Sequence, residues 1–211
     1  MAVTLGNLGT AYGELGDHAK KRDMLERALA IEERAYGRDH PEVAITLGNL
    51  GNAYGDLGDQ AKKRDMLERA LAIGERAYGR DHVELATTLT NLGLAYGRLG
   101  DHAKERDMLE RALAIEERAY GRDHPEVAIT LTNLGSAYDS LGDEAKAVEV
   151  LKRAIEIKER AFGCDHPNVA QTLLMIGACT FARDALERAL VIFERTGDSR
   201  AGSCRNLLQH C

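Results

Sequence analysis

The sequence predicts an all-α solenoid built from stacked antiparallel helical hairpins. The phrase Asn-Leu-Gly recurs at a fixed period of 42 residues, with its leucine at Leu8, Leu50, Leu92 and Leu134. Within each period, apolar residues recur twice at the three- and four-residue spacing of an amphipathic helix. A short unit repeated in this way cannot bury its apolar face alone, so it must stack on its neighbours.

Turn and cap residues divide each period into two helices. In the second period, Asp39 is predicted to cap the first helix, with Glu42 reaching back as in a capping box. Gly58 supplies the left-handed residue that ends this helix, and Asp59 is expected to cap the second helix. Gly79 then ends the second helix, so each period forms one hairpin.

The second helix also carries charged residues that we assign to a solvated face. Arg64 with Glu68, and Asp65 with Arg69, stand one helical turn apart. Each such pair is expected to stabilise the helix by only about 0.2–0.5 kcal/mol. These charges therefore indicate a surface and no site of their own.

Composition and charge exclude several classes of function. Residues 1–20 have neither the basic start nor the apolar middle of a signal peptide, and the most apolar stretch, Leu173 to Phe181, is interrupted by Gly177. We therefore expect a cytoplasmic protein that does not contact membranes. The net charge of −6 is spread evenly, whereas binding to a phosphate backbone needs clustered Lys and Arg. We expect no nucleic-acid partner.

Each period also contains the residue pattern of a known repeat. The pattern runs Leu47-Gly48-Asn49-Leu50-Gly51-Asn52-Ala53-Tyr54 in the second period and recurs at 5–12, 89–96 and 131–138. It is similar to the signature of tetratricopeptide-repeat proteins, whose common unit has about 34 residues, so about eight are extra here. The longer units, with their Gly-x-Asp-His-Pro turn, resemble those of kinesin light chains. The resemblance implies a right-handed superhelix that serves as a non-enzymatic interaction scaffold.

We predict one solenoid domain over residues 1–211. Its units are 1–42, 43–84, 85–126 and 127–168, followed by a shortened unit 169–198 and a terminal helix 199–211. The shortened unit lacks about seven residues, close to two helical turns, that would carry the Leu-Gly-Asp turn. Either Val169–Arg195 is one long helix, or a truncated first helix turns at Gly177–Thr180. The start inside a first helix suggests a fragment or an array with an uncapped end.

Two features depart from the family pattern. Where the family has a small residue that lets the two helices of a hairpin close up, this chain has Lys21 and Lys63. We expect the stem of Lys63 to lie along the hairpin with its ammonium in water, because burying an unpaired charge is costly. Glycines also recur in the first helices, as at Gly48, Gly51 and Gly55, and each costs about 1 kcal/mol relative to alanine. We predict that all three permit close approach of a neighbouring helix.

The resemblance also predicts a binding face. One asparagine per period precedes Leu-Gly in the first helix, namely Asn7, Asn49, Asn91 and Asn133. In the family this position faces a concave groove, where its amide binds the backbone of a peptide ligand, and Asn52 matches a second ligand-binding asparagine. An amide has both a donor and an acceptor, so a row of amides can hold an extended chain. Alternatively, these asparagines hydrogen-bond neighbouring helices and hold the stack together.

Other candidate residues do not indicate a carboxylate clamp, a metal site or a catalytic site. Arg98 is the one cation that we expect near the groove, so a clamp for a C-terminal carboxylate is not supported. His40, His82, His124 and His166 recur once per period, about 10 Å apart by helix-packing distances, which is too far to share a metal ion. We assign them to turns that pack on the next hairpin. The cysteines lie at irregular spacing, and no nucleophile or phosphate loop is evident, so we expect no metal, no cofactor and no catalysis.

The sequence therefore predicts an interaction scaffold that binds a peptide or protein segment in a concave groove. The alternative is a structural segment of a larger protein that associates with copies of itself through uncapped ends.

Overall fold

Residues 1–210 are described by a computed structural model, in which they form eleven α-helices and no β-strand. In chain order the helices are α1 (Ala2–Glu14), α2 (His18–Tyr36), α3 (Pro41–Asp56), α4 (Gln60–Tyr78), α5 (Ala86–Arg98), α6 (His102–Tyr120), α7 (Pro125–Ser140), α8 (Glu144–Phe162), α9 (Pro167–Thr180), α10 (Arg183–Thr196) and α11 (Ala201–Leu208). A 3₁₀ turn, Val83–Leu85, precedes α5.

The helices repeat with the period of the sequence. The second helices of the first four hairpins, α2, α4, α6 and α8, begin at His18, Gln60, His102 and Glu144, each 42 residues after the one before. Proline opens α3, α7 and α9, where its missing N–H leaves no bond unmade. The corresponding position in the third hairpin is Val83, which lies in the 3₁₀ turn.

The chain divides into two compact units, of which the first is Met1–Ile115 and the second begins at Glu116. In the first unit α1 pairs with α2 and α3 with α4, and the hairpins stack through α2 on α3 and α4 on α5. In the second unit α7 pairs with α8 and α9 with α10, and α8 stacks on α9. This stacking is that of an all-α solenoid, as predicted. One continuous domain over 1–211 stays a prediction.

Leucines of the first helices are buried by the preceding hairpin. Leu50 of α3 packs with Leu25 of α2, Ala53 and Tyr54, and is only 2% exposed. Leu8, at the same register in α1, is 42% exposed. Full burial of such a side chain is worth about 1.5–3 kcal/mol, so the contact between hairpins supplies a large part of the stability of each repeat.

Arginines of the second helices tie each hairpin to the one before. Arg69 of α4 pairs with Glu33 of α2 at 2.6 Å and donates to the carbonyl oxygen of Arg38, in the turn after α2, at 2.9 Å. Arg111 makes the equivalent bonds to Glu75 (2.7 Å) and to the carbonyl of Arg80. Arg153 and Arg188 repeat the arrangement in the second unit. These arginine bonds hold the turn between hairpins as well as the two second helices.

The predicted in-helix pairs of α4 are therefore wrong. Arg64 donates to the adjacent Asp65 at 2.9 Å, and Arg69 is engaged with the preceding hairpin. Glu68 accepts a hydrogen bond from the hydroxyl of Tyr96. Arg69 and Glu68 reach across hairpins because a half-buried partner there is worth more than an exposed one a turn away.

The helix ends follow the cap residues with one correction. Asp59 accepts from the backbone N–H of Lys62 at 3.0 Å, and Gly58 has φ of +85°, both as predicted. The cap of α3 is His40, whose Nδ1 accepts from the N–H of Glu42 at 3.2 Å. Asp39, predicted for that role, instead pairs with Arg76 of α4 at 2.9 Å, and this bond lowers the pKa of its carboxyl.

Two of the three glycines in α3 lie at a close helix contact. A Cβ at Gly51 would stand 3.1 Å from Cγ of Leu67, and one at Gly55 would stand 2.7 Å from Cδ of Lys63. The stem of Lys63 therefore lies along the hairpin, as predicted, in the space that Gly55 leaves. The prediction fails for Gly48, because a Cβ there would have no neighbour within 4 Å.

The end of the described chain is a shortened hairpin, and the single long helix considered for it is wrong. Between α9 and α10, Phe181 adopts a left-handed conformation with φ of 51°, which turns the chain just after the predicted Gly177–Thr180. The predicted terminal helix is present as α11, which packs on α10 and buries Ala201 and Cys204. Cys211, which belonged to the predicted terminal helix, lies outside the described residues.

The glycine contacts predict opposite effects for two substitutions in one helix. Gly48→Ala is expected to stabilise the protein by up to about 1 kcal/mol, because it raises helix propensity where space is open. Gly51→Leu is expected to destabilise it by about 1–3 kcal/mol or more, because the side chain would enter the contact with Leu67. Urea denaturation of both variants checks this. A stable Gly51→Leu protein would contradict the close contact.

Candidate functional site

The predicted asparagines lie on first helices, four of them at one repeating register and Asn52 three residues after Asn49. Asn7 and Asn49 are exposed, whereas Asn52, Asn91 and Asn133 are half-buried. In residues 1–210, no side-chain amide of these five forms a hydrogen bond within the chain. The alternative that they tie helices together would need such bonds. Their amides are thus available to a ligand, and a binding role stays a prediction.

Exposed aliphatic side chains accompany the amides. Ile45 lies one turn before Asn49 on α3 and is 58% exposed, and Ile129 lies one turn before Asn133 on α7 and is 51% exposed. Residues four apart share one face of a helix. We call the face that carries these residues in each unit the ladder face; it comprises Ile45, Asn7, Asn49, Asn52 and Asn91 in the first unit, and Ile129 and Asn133 in the second. It offers apolar contact together with donors and acceptors, a combination suited to a polypeptide.

Cavities between hairpins open beside two of the asparagines. Asn49 lines a cavity of about 310 Å³ with Thr10, Glu14 and Lys21. In the second unit, Asn133 lines a cavity of about 280 Å³. The ladder face therefore continues into recesses that could hold ligand side chains.

Arg98, the predicted groove cation, is exposed and has a second cation near it. Burial, together with the positive charge of Arg98, lowers the pKa of half-buried Lys63. The equivalent pair one period earlier is Lys21 and Asp56, which form an ion pair at 2.9 Å. The sequence analysis placed the ammonium of Lys63 in water and did not identify the positive charge of Arg98 near it.

A buried lysine of the second unit was also missed. Lys158 of α8 is 7% exposed, and its ammonium donates to the hydroxyls of Thr132 and Thr172, each at 2.8 Å. Burial lowers the pKa of Lys158 to about 8. The signal was present in the sequence, because Lys158 continues the buried series of Leu151 and Ala154 at helical spacing.

The position of Lys158 varies in charge from repeat to repeat. The same register holds Glu32, Gly74 and Glu116 in the preceding hairpins. Both glutamates are buried, and in the described chain an Oε2 atom of each lacks a hydrogen-bond partner. Burial raises the pKa of Glu116. Nearly identical repeats thus carry different buried groups at one position beside the ladder face.

The repeated histidines have a structural use. Each of His40, His82, His124 and His166 caps a helix or turn through Nδ1. Each ring also packs on an aromatic ring four residues earlier, with centroids 4.9–5.1 Å apart.

Among residues 1–210, no three or more His, Cys, Asp or Glu side chains are grouped to hold a metal ion. No helix in that range is long and apolar enough to span a membrane.

Lys158→Met is expected to stabilise the protein at pH 7. The folded pKa of about 8 lies below the ordinary 10.5, so between these values the unfolded chain binds more protons and stability rises with pH. At pH 7 the buried charge costs about 1–3 kcal/mol, which methionine removes. Thr132 and Thr172 still donate to the carbonyls of Ala128 and Asn168.

Thermal melts near neutral pH and near pH 10 measure this effect. The gain from Lys158→Met should shrink at the higher pH, whereas Lys152→Met, at an exposed position of the same helix, should change little at either. A loss of stability in Lys158→Met at neutral pH would contradict the assigned cost of burial.

Solved structures show the same architecture. The chain superposes with a TM-score of 0.79 on the nearly identical TPR-like repeats of a kinesin light chain candidate from Podosopora anserina, at 22% identity over 92% of this chain and 95% of that one. It superposes on BtubC (BKLC) from P. vanneervenii with a TM-score of 0.76, at 22% identity over 97% and 80%. The apo form of RapI gives 0.74, at 18% identity over 92% and 68%. At these identities the likeness concerns the fold.

Sequence comparison identifies the repeat. Among curated proteins, none is similar enough to count as a match. The family profile described as tetratricopeptide repeat matches residues 1–73, 64–118 and 106–160. These matches cover well over half of the sequence, and the structural neighbours include kinesin light chain-like repeats. The chain belongs to the tetratricopeptide-repeat family.

Proposed function

We propose that this protein is a non-enzymatic interaction scaffold that binds an extended peptide or protein segment along the ladder face. Tetratricopeptide-repeat proteins are in general scaffolds for protein interaction. The observation that carries the finer proposal is the row of asparagine amides, at one register per hairpin, that form no hydrogen bond within residues 1–210.

The chemistry of the face supports a polypeptide ligand. Each amide can donate to a backbone carbonyl and accept from a backbone N–H, so a row of them binds a chain without reading its side chains. Ile45 and Ile129 add apolar contact area next to the amides. Specificity must then come from neighbouring positions that differ between hairpins, such as the buried register of Glu116 and Lys158.

Several finer expectations accompany this proposal. Absence of catalysis fits the general behaviour of the family. A cytoplasmic location and the lack of a nucleic-acid partner, argued from composition and charge, stay predictions. So does the concave shape of the groove.

Self-association is the second candidate function. Leu8 of α1 is 42% exposed, although the leucines at its register in the next hairpins, Leu50 and Leu92, are 2% exposed. Packing of another copy on α1 would bury it. Sedimentation velocity at increasing protein concentration distinguishes this from a monomer that binds peptides.

Replacing Asn49 and Asn91 by alanine separates the two roles considered for the ladder. Because these amides form no bond within the described chain, the melting temperature should stay the same or rise with the better helix propensity. Binding of peptides selected on the wild-type protein should weaken by about 1 kcal/mol or more per lost hydrogen bond.

Circular dichroism melts and titration of a selected peptide measure both effects. Asn206→Ala, at an exposed position of α11, which carries none of the predicted asparagines, is the control and should leave peptide affinity unchanged. If the double variant melts well below the wild type, its asparagines hold helices together and the proposed role is wrong.

A further inference from the structure

The cavity beside Asn133 holds a buried positive charge. It lies between α7, α8 and α9, within the second unit, and its polar lining comes from Thr132, Asn133, Lys158, Asn168, Gln171 and Glu126. Its volume of about 280 Å³ is enough for one side chain. Because Asn133 and Ile129 belong to its wall, it opens on the ladder face.

The ammonium of Lys158 is poised to bind an additional acceptor. It has three N–H groups, of which two donate to Thr132 and Thr172. Both hydroxyls donate their own hydrogens to backbone carbonyls, so they act only as acceptors toward the lysine. In residues 1–210, no carboxylate oxygen lies within ion-pair distance of Lys158. A buried ammonium with neutral partners alone favours an incoming anion.

A matching cavity in the first unit shows which features are specific to this one. That cavity, of about 100 Å³, is lined by Gly74 and Glu84, which occupy the registers of Lys158 and Asn168 two repeat periods earlier. Two substitutions between repeats thus add a positive charge and remove a negative one. Glu126 remains on the wall of the second cavity, but it is exposed and its charge is screened by solvent.

We propose that the Lys158 cavity binds a carboxylate group of the ligand and thereby selects an acidic residue at one position of an extended segment. This inference rests on the proposed function, since the segment is the one whose backbone Asn133 would hold. Asn168 and Gln171 offer amide donors to the same carboxylate. The buried position makes this ion pair more discriminating than one at an exposed lysine.

Parallel selections from a random array of C-terminally amidated dodecapeptides test the proposal, with wild-type protein and Lys158→Glu as baits. Glutamate is already buried at this register as Glu32 and Glu116, so the variant should fold, which a circular dichroism melt verifies. Wild-type protein should enrich Asp or Glu at one fixed position. Lys158→Glu should enrich Lys or Arg there instead.

Affinity measurements on one selected acidic peptide complete the test. Lys158→Met should weaken its binding by about tenfold or more, the loss expected for a charged hydrogen bond. The matched control Lys152→Met should leave affinity within about twofold, as expected for an exposed charge. A repeat of the selection with free C-termini shows whether the bound carboxylate belongs to a side chain or to the chain end. Binding through the terminal carboxylate would be enriched only in that array.

The outcomes separate this inference from the function on which it rests. The carboxylate site would be overturned if wild type and Lys158→Glu enriched peptides with the same acidic preference. It would also be overturned if the enriched peptides had no acidic preference. Either result would leave the scaffold function standing. No enrichment by either protein in either array would overturn both.

Discussion

Stacking of each first helix on the second helix of the preceding hairpin is the contact on which the rest of the structure depends. It occurs where α2 meets α3, α4 meets α5 and α8 meets α9. There it buries leucines such as Leu50 and positions the arginine ties that hold the turns. In the first hairpin, which has no preceding hairpin within residues 1–210, the equivalent Leu8 is 42% exposed. The repeated sequence is therefore a repeated interface, and the ladder face is a consequence of its regularity.

Much of the fold could be predicted because the determinants are local and occur four times. Glycine at Gly58 and aspartate at Asp59 each act within a few residues, so pattern alone located them. The cap at His40 was missed because imidazole is a less common cap than the adjacent Asp39, which a distant arginine engages. Contacts across hairpins, unlike caps, depend on how the helices of neighbouring hairpins are positioned relative to one another. Sequence spacing does not give that position.

A contact between the two helices of one hairpin explains the unusual residues found there. Lys63 occupies the space left by Gly55, and Glu105 occupies the space left by Gly97. In the fourth hairpin the sizes are exchanged, with Asp139 on the first helix and Ala147 on the second. At this position each hairpin thus pairs a small residue on one helix with a larger one on the other, as close packing requires. Reading the two helices together would have shown this pairing, whereas each departure looked anomalous when read alone.

The candidate site divides in the same way. The asparagines were found because they repeat, whereas Lys158 was missed because it breaks the repeat. In a scaffold of nearly identical units, repetition builds the backbone-binding surface and the exceptions supply specificity.

This account requires that the units themselves be interchangeable. Deleting residues 43–84 and following urea denaturation by far-UV circular dichroism tests that requirement most directly. We predict a helical protein that unfolds cooperatively at a lower midpoint, because one interface is lost and an equivalent one forms at the junction; loss of the folded helical signal would contradict the account.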